Sequence, residues 1–406
     1  MVWKRNLVVL GMGQLVAISA MGIIIPLIPF FLRELGMTDR AALERWSGLV
    51  FSGPFLAAAL MSPVWAALGD RFGHKKMVVR AIIGLAAVNF VLVFVTSPLQ
   101  FFLIRVAQGI VTGFVPAALA ITSASTPREN LPDAMGKLAA YSSAGRLLGP
   151  AIGGVLAGYL AFKQLFLLTG SIIAVAAIFV AIYLEEPPRD PAARKTSFLA
   201  PFRVVLRDWK LRVAIPGLLA SMAAISMTMP IFPLFVEDLC GAGTDPKVVT
   251  GIGFAVVAGF TLLAAVFLGR VTDRLGLKRV LVASLALTAV ALVLHPLAGG
   301  IAPMLVLRAL LGLAVAGTGP VLHAMIGREA PEGMRGGITG LANSATILGF
   351  FVGPIAGGWL ANVVGIDGVF RVAAALTFAC GIAAALVVRR VGRDRKLEPL
   401  ARELPR

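Results

Sequence analysis

Four short motifs occur twice in this chain of 406 residues, each pair 203 or 204 positions apart, and that repeat limits the fold more than any other feature. PLIPFFL, with Pro26 and Pro29, returns as PIFPLFV with Pro230 and Pro233. GDRFGHKK, with Asp70, returns as TDRLGLKR with Asp273, and Arg105 in FFLIRVAQG returns as Arg308 in MLVLRALLG. GPAIGG from Gly149 to Gly154 returns as GPIAGG from Gly353 to Gly358. Chance matches would scatter the offsets. One shared offset of half the chain length means two homologous halves lying side by side.

Hydrophobic residues make up 58% of the chain and charged residues 14%, too little polar surface to cover a water-soluble core. Apolar runs near the roughly 20 residues that cross a bilayer fall at 6–32, 46–68, 77–95, 98–123, 134–160 and 163–184, then at 211–236, 247–270, 279–298, 302–326, 335–361 and 367–388. Six lie in each half. The prediction is an all-α integral membrane protein with twelve transmembrane helices in two pseudo-symmetric six-helix halves, residues 1–184 and 211–388. The first run is too long for a signal-peptide core and lacks a small-residue cleavage site, so it is expected to stay as helix one. Residues 185–210 form the linker, in which 195–210 is either a short basic amphipathic helix on the membrane surface or a solvated loop. Residues 389–406 are a basic cytoplasmic tail, expected to be unstructured and held near anionic headgroups.

A net charge of +17 invites a nucleic-acid partner, but its placement argues otherwise. Of the 37 Lys and Arg residues, 28 lie at the N-terminus, in every second loop, in the linker and in the tail; 6 lie on the opposite side and 3 within helices. That asymmetry puts both termini in the cytoplasm, and no stretch interleaves aromatics with basic residues as a nucleic-acid face does. Cys240 and Cys380 form neither a disulfide framework nor a CxxC pair. No HExxH, GxSxG, Walker loop or Cys/His cluster at metal spacing is present, so neither an enzyme nor a metal site is expected. A channel would show pore rings in an oligomer, whereas two halves in one chain suit alternating access by a functional monomer.

The loop after helix two reads PVWAALGDRFGHKK and the loop after helix eight reads LGRVTDRLGLKR. Both resemble the G-x-L-A-D-R-x-G-R-K loop motif of the major facilitator superfamily, the first through Asp70, Arg71, Gly73 and Lys75, the second through Gly269, Asp273, Arg274, Gly276 and Lys278. Ala66 replaces the first glycine of copy one, and His74 and Leu277 replace the usual arginine. In physical terms a carboxylate at a helix end, a turn glycine and two cations can meet a helix N-terminus or an arginine of the other half, and breaking that contact frees one half to rock.

Arg105 lies about 10 Å into helix four at 1.5 Å per residue, where an arginine needs a partner or a wet cavity. With Gln108 and Gly109 it resembles the family pattern R-x-x-Q-G, which implies a part in proton coupling; pairing with backbone carbonyls is the structural alternative. Arg308 and Gly312 repeat the pattern without the glutamine, which favours packing. Gly145, Gly149, Pro150, Gly153 and Gly154 of helix five put glycines on one face for close helix contact, and the GPxxGG within them resembles the family's antiporter signature. Arg146 stands inside that signature, about 18 Å along the helix. It either lines a central cavity, attracting an anionic group or repelling a proton-loaded state, or pairs across to an acceptor on helix eight or helix one.

Gln14, Ile18, Met21 and Ile25 of helix one and Met222, Ser226, Met229 and Phe232 of helix seven recur at helical spacing. With Thr112, Tyr141, Asn343, Thr346 and Phe350 they are candidates for a mostly apolar substrate cavity. All twenty carboxylates fall in loops or at helix ends, so proton-carrier candidates are peripheral: Asp70, Asp133, Glu34, Glu237 and Asp238. His295 and His323 titrate in the useful range, with His295 expected to be structural. ERWSGLVFSGPFLAAALMSPVW, from Glu44 to Trp65, resembles the helix-two opening of bacterial multidrug exporters of this superfamily. The resemblance implies a transporter of the bacterial inner membrane that exports hydrophobic or amphiphilic small molecules by proton antiport. Its partners would be the lipid bilayer, the amphiphilic substrate and protons, with the proton gradient and no cofactor as energy source. Two alternatives stay open: an exporter or flippase of anionic amphiphiles such as lipids or acidic metabolites, and a non-transporting receptor on the same fold.

Overall fold

The computed structural model describes residues 2–186, 200–331 and 334–402, and these residues are helical with no strand among them. Helix one runs over Val2–Ile23, tightens to a 3-10 turn at Ile25–Leu27 and resumes at Ile28–Glu34. Pro26 and Pro29 account for the interruption, because each removes a backbone donor from the ladder. Helices two to six are Arg40–Phe72, His74–Leu92, Pro98–Ser125, Leu131–Leu156 and Phe162–Tyr183. A linker helix, Ala200–Arg207, follows. Helix seven, Trp209–Leu239, breaks between Met227 and Phe232 at the repeated proline pair. Helices eight, nine and ten are Pro246–Leu275, Leu277–Leu297 and Ile301–Glu329.

Helices eleven and twelve form one run from Arg335, joined at Gly365, whose φ of 71° and ψ of 169° only glycine adopts readily. Helical backbone continues to Arg402, where the sequence led to an unstructured tail. Nine of the described segments are long and apolar enough to cross a bilayer unaided, the last containing helices eleven and twelve. Helices three and five complete the twelve. Lys75, Lys76 and Arg80 charge the start of helix three, and Arg146, Ser142, Ser143 and glycines dilute helix five. Large apolar side chains face outward around the bundle, among them Phe94, Val175 and Val363, as a hydrocarbon surround requires.

The glycine spine explains how the halves are built. On helix five, Gly145, Gly149 and Gly153 sit against the carbonyls of Leu15, Ser19 and Ile23 of helix one. On helix eleven, Gly349, Gly353 and Gly357 sit against the carbonyls of Leu219, Ala223 and Met227 of helix seven. Each glycine and each carbonyl is displaced by 204 residues, so the repeat extends to individual contacts. A Cβ at Gly145 would lie 2.9 Å from the Leu15 oxygen, too close to keep. A neighbouring glycine on each helix joins the halves: Gly154 meets Gly251 of helix eight, and Gly358 meets the Glu44 carbonyl of helix two. Small residues thus allow backbone-to-backbone packing in a setting where burial from water supplies no drive.

Candidate functional site

The two ends of the bundle differ. At the far end, opposite the linker, Arg33 forks onto Glu237, with Nη2 donating to Oε2 at 3.0 Å, and Arg40 forks onto Asp238 at 2.6 and 3.0 Å. Arg45 donates to Asn362, which in turn donates to Glu44 at 2.8 Å. Each contact joins one half to the other. Deeper, Phe51, Phe55 and Phe350 form a stack with centroids 5.7 and 5.5 Å apart, and its second step crosses between the halves. At the linker end, the ion pairs among the described residues stay within one half or its flanking segments: Arg5 with Glu185, Asp133 with Lys137, and Lys210 with Glu329. Among the described residues, charge pairs and a ring stack tie the halves together at the far end, and no ion pair ties them at the linker end.

Arg33 and Glu237 are 204 residues apart and so are repeat counterparts. Near a two-fold axis each residue meets its own copy, and like charges there would repel; here the sign is inverted. The sequence held this signal in the offset itself. Glu44 was also missed as a site residue: a carboxylate near a helix start looks like a cap, yet Glu44 is 6% exposed and bonded across the halves. Asp39 is the cap, accepting from the Ala42 amide at 2.8 Å.

Arg146 is exposed although it sits in mid-helix. Its repeat counterpart Phe350 stacks on Phe55 of the other half. Asn343 is also exposed, and Ile18, Met21, Thr112, Tyr141, Met229 and Thr346 are half-buried. Thr346 lies 3.1 Å from His323 Nε2, linking helices ten and eleven. Three candidates for the cavity are placed elsewhere. Gln14 is buried and donates to Ser142, tying helix one to helix five inside the first half. Ser226 is fully buried and donates to the Gly349 carbonyl at 3.1 Å. Phe232 lies under the Arg308 guanidinium, 3.2 Å from its ring centre, in the core of the second half. Helix seven breaks before Phe232, so the face shared by Met222 and Ser226 does not carry through to it. Met222 is 8% exposed and packs against Gly349.

Arg105 is 3% exposed and donates from Nη1 to Gln108 Oε1, leaving its Nε and the Gln108 Nε2 without a partner among the described residues. Gly109 packs on the Pro54 carbonyl of helix two. Helix four then breaks: Gly113 takes φ 140°, Trp65 Nε1 donates to the Ile110 carbonyl at 2.7 Å, and Arg80 lies 3.4 Å over the Trp65 ring. His295 is fully buried, its Nδ1 2.6 Å from the Ala291 carbonyl and its ring stacked on Phe370, a structural placement.

The loop motif departs from its expected contact. Asp70 is 79% exposed and sits 3.5 Å from His74, and among the described residues it meets neither a helix start nor the other half. Glu186, from the end of helix six, takes the helix-three N-terminus instead, accepting from the His74 and Lys75 amides at 2.8 and 2.6 Å. Gly73 supports that turn at φ 102°, and Arg71 lies 5.1 Å over Phe72. In the second copy Gly269, Asp273 and Gly276 line a cavity of about 440 Å³ with Thr272, Leu277 and Arg328. Arg274 beside it is exposed and Lys278 is half-buried.

The model of the Major Facilitator Superfamily matches residues 10–261 and 215–406. Multidrug resistance protein MdtG of Enterobacter lignolyticus is 31% identical over 397 residues, covering 96% of this chain and 94% of that protein. The chain belongs to the major facilitator superfamily. It is a secondary transporter of the membrane and not an enzyme. The MdtG protein of Citrobacter koseri is 32% identical over 378 residues, 92% of each chain. In fold, the chain is similar to the inward-facing, occupied crystal structure of a bacterial homologue of the human lysosomal transporter Spinster, with a TM-score of 0.78 and 14% identity over 94% of this chain and 96% of that one.

Proposed function

We propose that this transporter exports hydrophobic or amphiphilic small molecules across the bacterial inner membrane in exchange for protons, with both termini and the linker in the cytoplasm. The observation that carries the reading is a far end closed by paired charges between the halves, while among the described residues no ion pair crosses at the linker end and Arg146 is exposed in mid-helix. That is the arrangement of a carrier ready to take ligand from the more basic side, which is the cytoplasmic one. The relatives named as multidrug resistance proteins support the substrate class. The loop motifs around Asp70 and Asp273 act as the switch, made in the opposite state and parted in this one. Arg105 with Gln108 serves coupling. Glu44 joins the proton-carrier candidates, because rocking would carry its carboxylate from a closed interface into water.

In proteoliposomes, an inward proton gradient is expected to drive export of a cationic or neutral dye, and the dye to dissipate the gradient; flux that ignores the gradient overturns proton antiport. Arg146, with no ion-pair partner among the described residues, favours a second reading, transport of anionic amphiphiles. Arg146→Ala separates the two: selective loss of anionic substrates supports the second, and unchanged handling of them removes it.

A further inference from the structure

His323 on helix ten is half-buried, and its bond to Thr346 of helix eleven assigns the hydrogens on its ring. Thr346 donates its one hydroxyl hydrogen to the Ala342 carbonyl at 3.2 Å, so toward the ring it accepts, and Nε2 carries the hydrogen. Nδ1 is then a bare lone pair. It has no partner among the described residues and is not one of the atoms enclosed by packing. His295, by contrast, is fully buried with its Nε2 enclosed, and His74 belongs to the loop after helix two. His323 therefore holds the open basic nitrogen inside the bundle.

Its surroundings fix where that nitrogen lies. Phe350, one turn beyond Thr346 on the same side of helix eleven, stacks on Phe55 of the first half at 5.5 Å. Gly319, one turn before His323, lies against Met222 of helix seven. Both contacts turn the His323 side inward, one turn nearer the linker end than the ring stack. Glu329, which pairs with Lys210 at that end, is six residues further along, about 9 Å at 1.5 Å per residue. The helices around it carry Arg328 on ten, Lys278 on nine and Arg335 on eleven, and Arg146 stands on helix five of the other half, yet no charged side chain contributes to the setting of the ring. Of the carboxylate candidates, Asp70 lies out at its loop and Glu44 is bonded into the far end.

We infer that His323 Nδ1 holds the exchanged proton, and that the proton and a substrate N–H or O–H group compete for this one lone pair. The inference rests on the antiport reading above. Uptake needs no repacking: the proton adds to Nδ1, Nε2–H keeps its bond to Thr346, and the ring becomes an imidazolium. That ring has no acceptor left and repels a cation, so a cationic, donor-bearing substrate binds only after the proton has left to water. Exchange at one nitrogen follows.

The test follows ethidium, a permanent cation with N–H donors, using the full chain in detergent and in proteoliposomes. In the parent chain its affinity should fall about tenfold for each pH unit below the histidine midpoint, as one proton displaces the dye. His323→Gln keeps an N–H for Thr346 and cannot titrate. It should bind ethidium without pH dependence and pass it down its own gradient, while ignoring an inward proton gradient. Nitrogen NMR of the unaltered chain labelled at histidine gives an arm that depends on no variant folding: one ring should show hydrogen on Nε2 alone when neutral and lose its added proton when ethidium binds. Gradient-driven export by His323→Gln equal to the parent's, a retained pH slope, or a neutral ring with hydrogen on Nδ1 overturns the inference and leaves antiport standing. Parent flux that ignores the gradient removes antiport, and this inference with it.

Discussion

Arg105 and Arg308 hold the same place in the two halves, yet they are accommodated by different chemistry. Arg105 bonds to Gln108 one turn along its own helix and keeps Nε without a partner among the described residues. Arg308 has no glutamine, Leu311 standing there, and its guanidinium lies on the Phe232 ring, where the first half has Ile28. Around them the matched aromatics persist, with Phe31, Phe51 and Phe166 opposite Phe235, Phe254 and Phe370. One half thus holds a buried cation by a hydrogen bond to an amide, which rearrangement can exchange for another partner; the other holds it against a ring. The comparison assigns changeable chemistry to the first half and a fixed support to the second.

The largest expected effect tests what the halves share. Gly149→Leu and Gly353→Leu each force a side chain into the backbone of the facing helix, an overpacking cost of about 3 kcal/mol. Both should lose most folded protein in detergent melting experiments, and to a similar degree; tolerance at one site alone would break the symmetry.

Next come the arginine partners. Gln108→Leu makes the first half resemble the second and leaves a charged donor unpaired, a loss of about 2 kcal/mol, and transport should fall with it. Leu311→Gln makes the opposite change, and because Arg308 already rests on Phe232 it should cost less than half as much. Equal losses in melting temperature and flux would end the distinction drawn above. Phe232→Leu should destabilise by about 2 kcal/mol by removing the desolvated cation–π contact, without changing the pH profile of transport.

The smallest effect concerns the far end. Cys240 lies just past Glu237, and burial first, then Asp245 and Glu237, raises its pKa above the usual thiol range. It is therefore a slow target for alkylation while the end is shut, with little thiolate at neutral pH. Arg33→Glu sets two carboxylates face to face, at a cost of about 1 kcal/mol or fivefold in the open population, and should speed alkylation of Cys240 in a Cys380→Ser background. Adding Glu237→Arg should restore the slow rate.

Much of this architecture was legible in the sequence because the repeat carries geometry as well as homology. Glycine spacing on helices five and eleven predicted close packing, and the structure adds which carbonyls receive it. The cavity list fared less well, since helical spacing shows which residues share a face and not which neighbour that face meets, and the breaks at Pro26 and Pro230 turn the face part-way along. Gln14 and Ser226 are polar in apolar surroundings for the same reason a cavity residue would be, but their bonds close on neighbouring helices. The Glu44 site depends on helix eleven arriving beside helix two, a long-range contact that no local pattern carries.

The Arg33 and Glu237 pair bears on descent. In a symmetric dimer of two identical six-helix proteins, a residue near the axis faces itself, and arginine would meet arginine. Opposite charges on one axis require two copies free to mutate separately. Joining the copies in one chain fixed their stoichiometry and let them become unlike partners, so the bond that closes the far end could arise only after duplication.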